Sequence, residues 1–390
     1  MVPRLALASV GGFAISRESK AYCRAQDESP SHLLKESLAQ KNGPQFKKIF
    51  IDLSKCGKQQ VAADLAADLL LEQESKVLRF PPERDEYEFI LKNLKNIYPD
   101  IKTHFSKDPL RSKDPMEGLN IHAISSKGQK VIIDSYRRSG VFNEKKVSVS
   151  DSFAVFEKNL GNFFQTAQEG QEQLFLVRHR KGAKDLTRHT SPVHIRKKDG
   201  VFQFFITDSY GPTFLGGPKK HAIEYVIDAI RKAHRESNST FPIEINYDAG
   251  GPRLGDGSNC VVLSIRDGLE MVRNTDEVYN WIAKKRVKKE DDLYAVSHLP
   301  LRMVKNVQSL TYIDRYLGET NQREVALVSE KKLKKETVVE TVKRHQYTGP
   351  DPKNPHLGKV FNGKIARYYL AYEREIIAKC IKDNSYSETA

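Results

Sequence analysis

Cys260 follows a run of small, flexible residues, Gly255-Asp256-Gly257-Ser258-Asn259, and precedes Val261, Val262, Ile265 and Leu269 at helical spacing. A thiol at the tip of such a helix feels the positive end of the helix dipole, which favours its thiolate. The free backbone N–H groups there can also bind a developing oxyanion. The bland alternative is a small buried hydrophobe, the commonest fate of a free cysteine. A second constellation weighs against that alternative. Pro192–Arg196 and Val201–Thr207 read as strands joined through Lys198-Asp199-Gly200, and Asp-Gly between strand-like runs is a strong hairpin signal. With the turn at 199–200, paired positions sum to about 398–399, so 189 falls opposite 209 or 210, and Asp208 opposite 190 or 191. His189 and Asp208 therefore share the open end of one hairpin, within side-chain reach. A carboxylate that fixes an imidazole, and an imidazole that takes a thiol proton, are what nucleophilic cysteine chemistry requires. His194, five residues on, points to the opposite face and reads as packed. His179 and His122 lie away from the hairpin mouth, while His221 and His234 read as solvated helix positions.

The elements that must hold these residues form a mixed pattern. Gln59–Ser75 and about 85–98 read as helices by apolar periodicity, within a mostly helical region 1–110. Asp108-Pro109 and Asp114-Pro115 mark turns. Lys130–Asp134 reads as a strand, Phe153–Gln168 as a helix and Gln173–Val177 as a buried strand. Residues 219–235 carry Ile223, Val226, Ile227, Ile230 and Ala233 on one stripe, a helix. Phe241–Ile245 reads as another strand. The glycine-rich loop Ala249–Gly257 then leads to the cysteine's helix. The catalytic domain is placed at 111–318 and a basic, helical region at 319–390, with a Pro/Gly/Asn interruption at 349–363.

Composition sets the outer bounds. The 390 residues carry 64 basic and 50 acidic side chains, a net charge of +14, with 39% hydrophobic content. That reads as a globular chain with enough length to bury a real core. No run approaches the ~20 apolar residues of a membrane-spanning helix. The start, Met1-Val-Pro-Arg4, only faintly resembles a secretory signal. The scattered Cys23, Cys56, Cys260 and Cys380 form neither a disulfide framework nor a local zinc motif, which suits a reducing compartment. Lys284, Lys285, Arg286, Lys288 and Lys289, and Lys331, Lys332, Lys334 and Lys335, are basic clusters a polyanion could use. The first runs into Glu290, Asp291 and Asp292, as a salt-bridged surface would. Without a zinc finger, RNA-recognition motif or phosphate loop, nucleic acid is not expected.

The order His189, turn, Asp208-Ser-Tyr-Gly-Pro212, helix, strand, glycine-containing loop and Cys260 resembles the ubiquitin-like-protein proteases of cysteine peptidase clan CE. His189-Thr-Ser-Pro-Val-His-Ile-Arg196, with its following glycine and acidic residue, also resembles the YopJ-type effector acetyltransferases of the same fold. The resemblance covers about 170–275. It implies an α+β fold: a ubiquitin-like-protease-type, papain-like core with a mixed β-sheet flanked by helices. It further implies His189 as base, Asp208 as orienting acid and Cys260 as nucleophile, with no metal and no bound cofactor. Relatives carry a glutamine five or six residues before the cysteine. Here those positions are Gly255 and Leu254, so Arg253, Asn259 or backbone N–H groups would support the oxyanion. Tyr210 and Trp281 would wall a substrate channel.

The activity so implied is a cysteine protease that removes ubiquitin or a ubiquitin-like protein from conjugates, working as a bacterial effector secreted into the host cell cytoplasm. The lead for this reading is Asp rather than Glu as third member, followed by Ser-Tyr-Gly-Pro. The alternatives are a YopJ-type acetyltransferase, using acetyl-coenzyme A through a cysteine thioester, and a catalytically inactive scaffold. Which modifier and target would be recognised, and the oligomeric state, are not in the sequence.

Overall fold

The structure, a computed structural model, describes residues 30–78, 83–107, 122–142, 147–181, 184–209, 211, 222–251, 253, 260–304, 307, 310–320, 326–328, 335–337, 340, 346–350 and 358–384. The chain divides into two compact units, one of Gly140–Tyr347 with Val360–Ile365, the other of Val2–Ser139 with Thr348–Lys359 and Ala366–Ala390. This division cuts at 139/140, where the sequence reading cuts at 110/111 and 318/319.

The first unit is built on a seven-stranded mixed sheet. Its elements are β1 (Val147–Ser150), α1 (Phe153–Thr166), β2 (Glu172–Lys181), β3 (Lys184–Lys198), β4 (Val201–Ile206), α2 (Ala222–Glu236), β5 (Ile243–Asp248), α3 (Cys260–Arg273), α4 (Thr275–Lys285), β6 (Arg286–Lys288), β7 (Leu293–Val296) and α5 (Leu310–Thr320). The strand order is β1-β2-β3-β4-β5-β7-β6. The pairs β1/β2, β4/β5 and β5/β7 are parallel, and the others antiparallel.

The β3–β4 hairpin turns through Asp199 (φ 52) and Gly200 (φ 70), the left-handed conformation that an Asp-Gly pair tolerates. Both backbone N–H groups of the turn donate to the Glu169 carboxylate. The resulting register pairs Lys198 with Val201 and Val193 with Ile206, so positions sum to 399. Alternation along the strands then sends Phe175, Val177, Val193, Ile195, Phe202, Phe204, Ile206 and Ile245 to one face, where Phe156, Leu160, Phe164, Val226 and Ile230 of α1 and α2 cover them. The other face receives α3, buried from Cys260 to Met271. A Cβ on Gly268 would lie 2.5 Å from Leu174 Cδ2, so only glycine permits this approach of helix to β2.

The second unit is largely helical, with helices Pro30–Ala39, Gly43–Lys55, Gln59–Val77, Asp85–Ile97 and Ser126–Arg138. The final helix, Gly363–Asp383, belongs to it from Ala366 onward. Phe46, Phe50, Ile90, Leu94 and Tyr98 form its buried interior, together with Tyr136 and Tyr372, whose hydroxyls meet at 3.1 Å.

Two local readings change. Lys130–Asp134 is not a strand but the middle of helix Ser126–Arg138. The Ser125 hydroxyl caps that helix by accepting from Gly128 N, and Gln129, Ile132, Ile133 and Tyr136 are buried at helical spacing. The β-branched run is the weaker signal here. The region after 320 is also not wholly helical. Ala326–Val328 pairs with Lys335–Thr337, and strands Gln346–Pro350 and Gly358–Asn362 precede the last helix. Pro350, Pro352 and Pro355 rule out a continuous helix there.

Candidate active site

The end of the β3–β4 hairpin and the first turn of α3 meet. His189 Nε2 lies 2.7 Å from Asp208 Oδ2, and both side chains are fully buried. Cys260, the first residue of α3, lies close enough to the His189 imidazole to contribute to its raised pKa. Ser264 Oγ, one turn along α3, donates to the Thr190 carbonyl, which fixes the helix against β3 beside His189. Burial works to lower the His189 pKa, but the charge and hydrogen bond of Asp208, with those of Cys260, overcome it and raise the value to about 10. The arrangement favours an imidazolium at His189 at neutral pH.

Two further groups complete the carboxylate's surroundings. Ser191 Oγ donates to Asp208 Oδ2 at 2.8 Å, and His179 Nε2 lies 2.9 Å from the same hydroxyl. The His179 and His189 rings stand edge to face, centroids 4.9 Å apart. Sequence reasoning sets His179 aside because it is not in the hairpin of 199–200. It reaches the site from β2, whose pairing with β3 shifts register between Arg178 and Arg180. A bulge at that point re-aims the side chain, and an antiparallel pairing of 172–181 with 184–196 is the signal that points to it.

Arg253 is fully buried, and its backbone N–H donates to the Ser209 carbonyl at 2.9 Å. Its guanidinium sits between Asp267 Oδ2 (2.6 Å) and Asp248 Oδ2 (3.3 Å). Thr207 Oγ1 donates to the same Asp267 oxygen at 2.9 Å. The residues on either side of Asp208 are thus tied to one buried ion-pair cluster. In the structure Arg253 holds the Asp208 segment through this cluster. Burial raises the Asp248 carboxyl and Arg253 pulls it back, leaving it at about 6.

Trp281 on α4 is half-buried and donates its indole N–H to the His298 carbonyl at 2.7 Å. His194 is buried in the sheet against Tyr279 and Glu172 and takes no part in the His189 cluster. Asn259, Tyr210, Leu254 and Gly255 lie outside the described residues. In the 284–289 basic cluster, Arg286 pairs with Glu244 and Lys288 with Asp291. Among the described residues, no helix is long and apolar enough to cross a membrane.

A mixed sheet flanked by helices, with a cysteine opening a buried helix beside a strand histidine and an acid, defines an α+β protein with a ubiquitin-like-protease-type core. Residues 94–370 match the YopJ Serine/Threonine acetyltransferase family, and the chain belongs to that family. Among solved structures, AvrA delL154 with IP6 and CoA is 13% identical, with a TM-score of 0.51 over 73% of this chain and 97% of its own. HopZ1a in complex with IP6 is 12% identical, with a TM-score of 0.45 over 74% and 98%. HopZ1a with IP6 and CoA is 13% identical, with a TM-score of 0.47 over the same shares. Among curated proteins, no sequence matches the chain.

Family membership overturns the expectation of a cysteine peptidase acting on ubiquitin conjugates, and those conjugates go with it as partners. The physical reason is that Cys260, His189 and Asp208 are residue types that suit acyl transfer either to water or to another acceptor, and they do not say which.

Proposed function

We propose that this chain is an acetyltransferase that moves an acetyl group from acetyl-coenzyme A to serine or threonine hydroxyls through Cys260. The observation that carries the reading is the buried group of Cys260, His189 and Asp208, with His189 hydrogen-bonded to Asp208, inside a chain of the acetyltransferase family. The Cys260 thiolate attacks the thioester carbonyl, the bond to the coenzyme A sulfur breaks, and His189 supplies the proton that sulfur needs. The acceptor hydroxyl then attacks the acetyl-cysteine, its proton passes to His189, and the Cys260 sulfur leaves. Asp208 keeps the imidazole oriented and stabilises its charged form. Backbone N–H groups of the first turn of α3 support the oxyanion in both steps.

Coenzyme A and inositol hexakisphosphate, present in the AvrA structure, are the acyl donor and a polyanionic regulator we infer for this chain as well. The net charge of +14 suits the second ligand. The 284–289 cluster suits it less, since two of its cations already hold carboxylate partners. The family likeness also supports a bacterial effector acting inside a host cell.

Intact mass after incubation with acetyl-coenzyme A, with and without inositol hexakisphosphate, tests the reading. One acetyl group on the wild-type chain and none on Cys260→Ala, with transfer onward to a hydroxyl-bearing protein substrate, is the expected result. Acetylation that persists undiminished in Cys260→Ala would overturn it.

A further inference from the structure

Within the helical unit, three side chains from distant parts of the chain converge: Asp100 and His104 of the 3-10 segment Pro99–His104, and Cys380 of the last helix. Their ligand atoms all lie within 4.8 Å of one another. Cys380 Sγ is 3.3 Å from His104 Nδ1 and 3.8 Å from its Nε2, and Asp100 Oδ2 is 3.9 Å from Nδ1. Thiolate, imidazole and carboxylate bound to one tetrahedral zinc at ~2.0–2.3 Å stand ~3.3–3.6 Å apart, so only small adjustments separate this arrangement from a coordination sphere.

His104 Nδ1 is the ring nitrogen nearer Cys380 Sγ and the one beside Asp100 Oδ2, so a cation between the three side chains takes the Nδ1 lone pair and displaces the hydrogen bond that Nδ1–H donates to the Asp100 carbonyl at 3.0 Å. Asp100 gives Oδ1 to Lys127 and Thr103, while Oδ2 is the oxygen nearer the ring. His104 itself cannot drift. Its carbonyl accepts from Ser125 N, and a Cβ on Gly128 would lie 2.5 Å from that carbonyl and 3.1 Å from Ile376 Cδ1. The cysteine and histidine are buried while Asp100 is exposed, which opens the cluster to solvent on one side.

We propose that Asp100, His104 and Cys380 form a site for a zinc-like divalent cation, completed by water, that clips the last helix to the 99–104 segment. Sequence spacing excludes a local cysteine motif, but not ligands 276 residues apart that folding brings together. A cation bound there takes the cysteine as thiolate, so binding releases the Cys380 proton. A cation bound by the folded chain alone raises its melting temperature.

Cobalt(II) is the probe, added to metal-free full-length chain carrying Cys260→Ala so that the active-site thiol cannot contribute. One equivalent bound, with a thiolate-to-cobalt charge-transfer absorption that Cys380→Ser removes, is expected. Asp100→Asn, at an exposed position that leaves the interior intact, should weaken zinc binding about tenfold and reduce the zinc-dependent rise in melting temperature. A parent chain without the absorption would overturn the site. So would an absorption that survives in Cys380→Ser, or an Asp100→Asn chain that binds zinc like its parent.

Discussion

Ser191 donates to the same oxygen of Asp208, Oδ2, that holds His189, at 2.8 Å against 2.7 Å. One carboxylate oxygen therefore sets the position of the His189 imidazole and is itself positioned by a buried hydroxyl, which His179 touches in turn. Ser191→Ala removes a hydrogen bond to a charged group, worth ~1.5–3 kcal/mol, and should lower the acetylation rate about tenfold or more. Because Ser191 acts through Asp208, Ser191→Thr should restore much of the rate, which a simple packing role would not predict. Single-turnover acetyl transfer to Cys260 measures it.

Asp208→Asn keeps the side-chain shape but cannot sustain the imidazolium. The expected loss is about 10³- to 10⁴-fold in the first-order rate of acetyl transfer, with the fold unchanged by circular dichroism. A loss below tenfold would remove Asp208 from the mechanism.

The raised pKa of His189 makes a statement about stability as well as chemistry. Its folded value, about 10, lies above the 6.5 of an unperturbed histidine. The stabilisation is thus fully present below 6.5 and is lost as pH rises through about 10. Urea unfolding across that range should show the advantage of wild type over His189→Gln shrinking toward alkaline pH. Nuclear magnetic resonance of the imidazole carbons should find His189 protonated at pH values where the ring is neutral in Asp208→Asn.

Much of this site is legible in the amino-acid sequence, and for identifiable reasons. Asp199-Gly200 pins the hairpin register, and a pinned register decides which side chains share its open end, so His189 and Asp208 follow from arithmetic. The helix behind Cys260 is announced by its apolar spacing. What stays hidden depends on departures from regular pairing or on contacts across the sequence. His179 enters through an irregularity in β2, and Arg253 looks like a loop cation until Asp248 and Asp267 close on it. The α+β core follows from the order of elements, whereas the choice between hydrolysis and transfer does not, because the same three residue types suit both.

Arg253 offers a sharp test of what holds the Asp208 segment. Arg253→Met leaves Asp248 and Asp267 buried with no cation between them, a change that costs ~3–5 kcal/mol. Adding Asp248→Asn removes one of the two charges and should recover part of the loss, since Asn can still accept the Gly250 N–H that Asp248 receives at 3.0 Å. Denaturant unfolding of the three chains decides it. An Arg253→Met chain as stable as wild type would mean that the cluster contributes nothing to the fold.

Gly268 sets two effects of opposite sign against each other. Glycine inside a helix costs ~1 kcal/mol relative to alanine, so propensity alone favours Gly268→Ala. Against that, the added methyl would stand 2.5 Å from Leu174 Cδ2, and Leu174, only 1% exposed, has no solvent into which to swing. Overpacking of this kind costs ~1–3 kcal/mol, and it also pushes α3, and Cys260 at its tip, away from β3 and His189. Gly268→Ala should therefore lower both the melting temperature and the rate of acetyl transfer. Leu174→Ala vacates the space the new methyl needs. The double variant should then be more stable than the sum of the single effects allows, by ~1 kcal/mol or more in a double-mutant cycle. Strict additivity would show that helix and strand are not in the contact described.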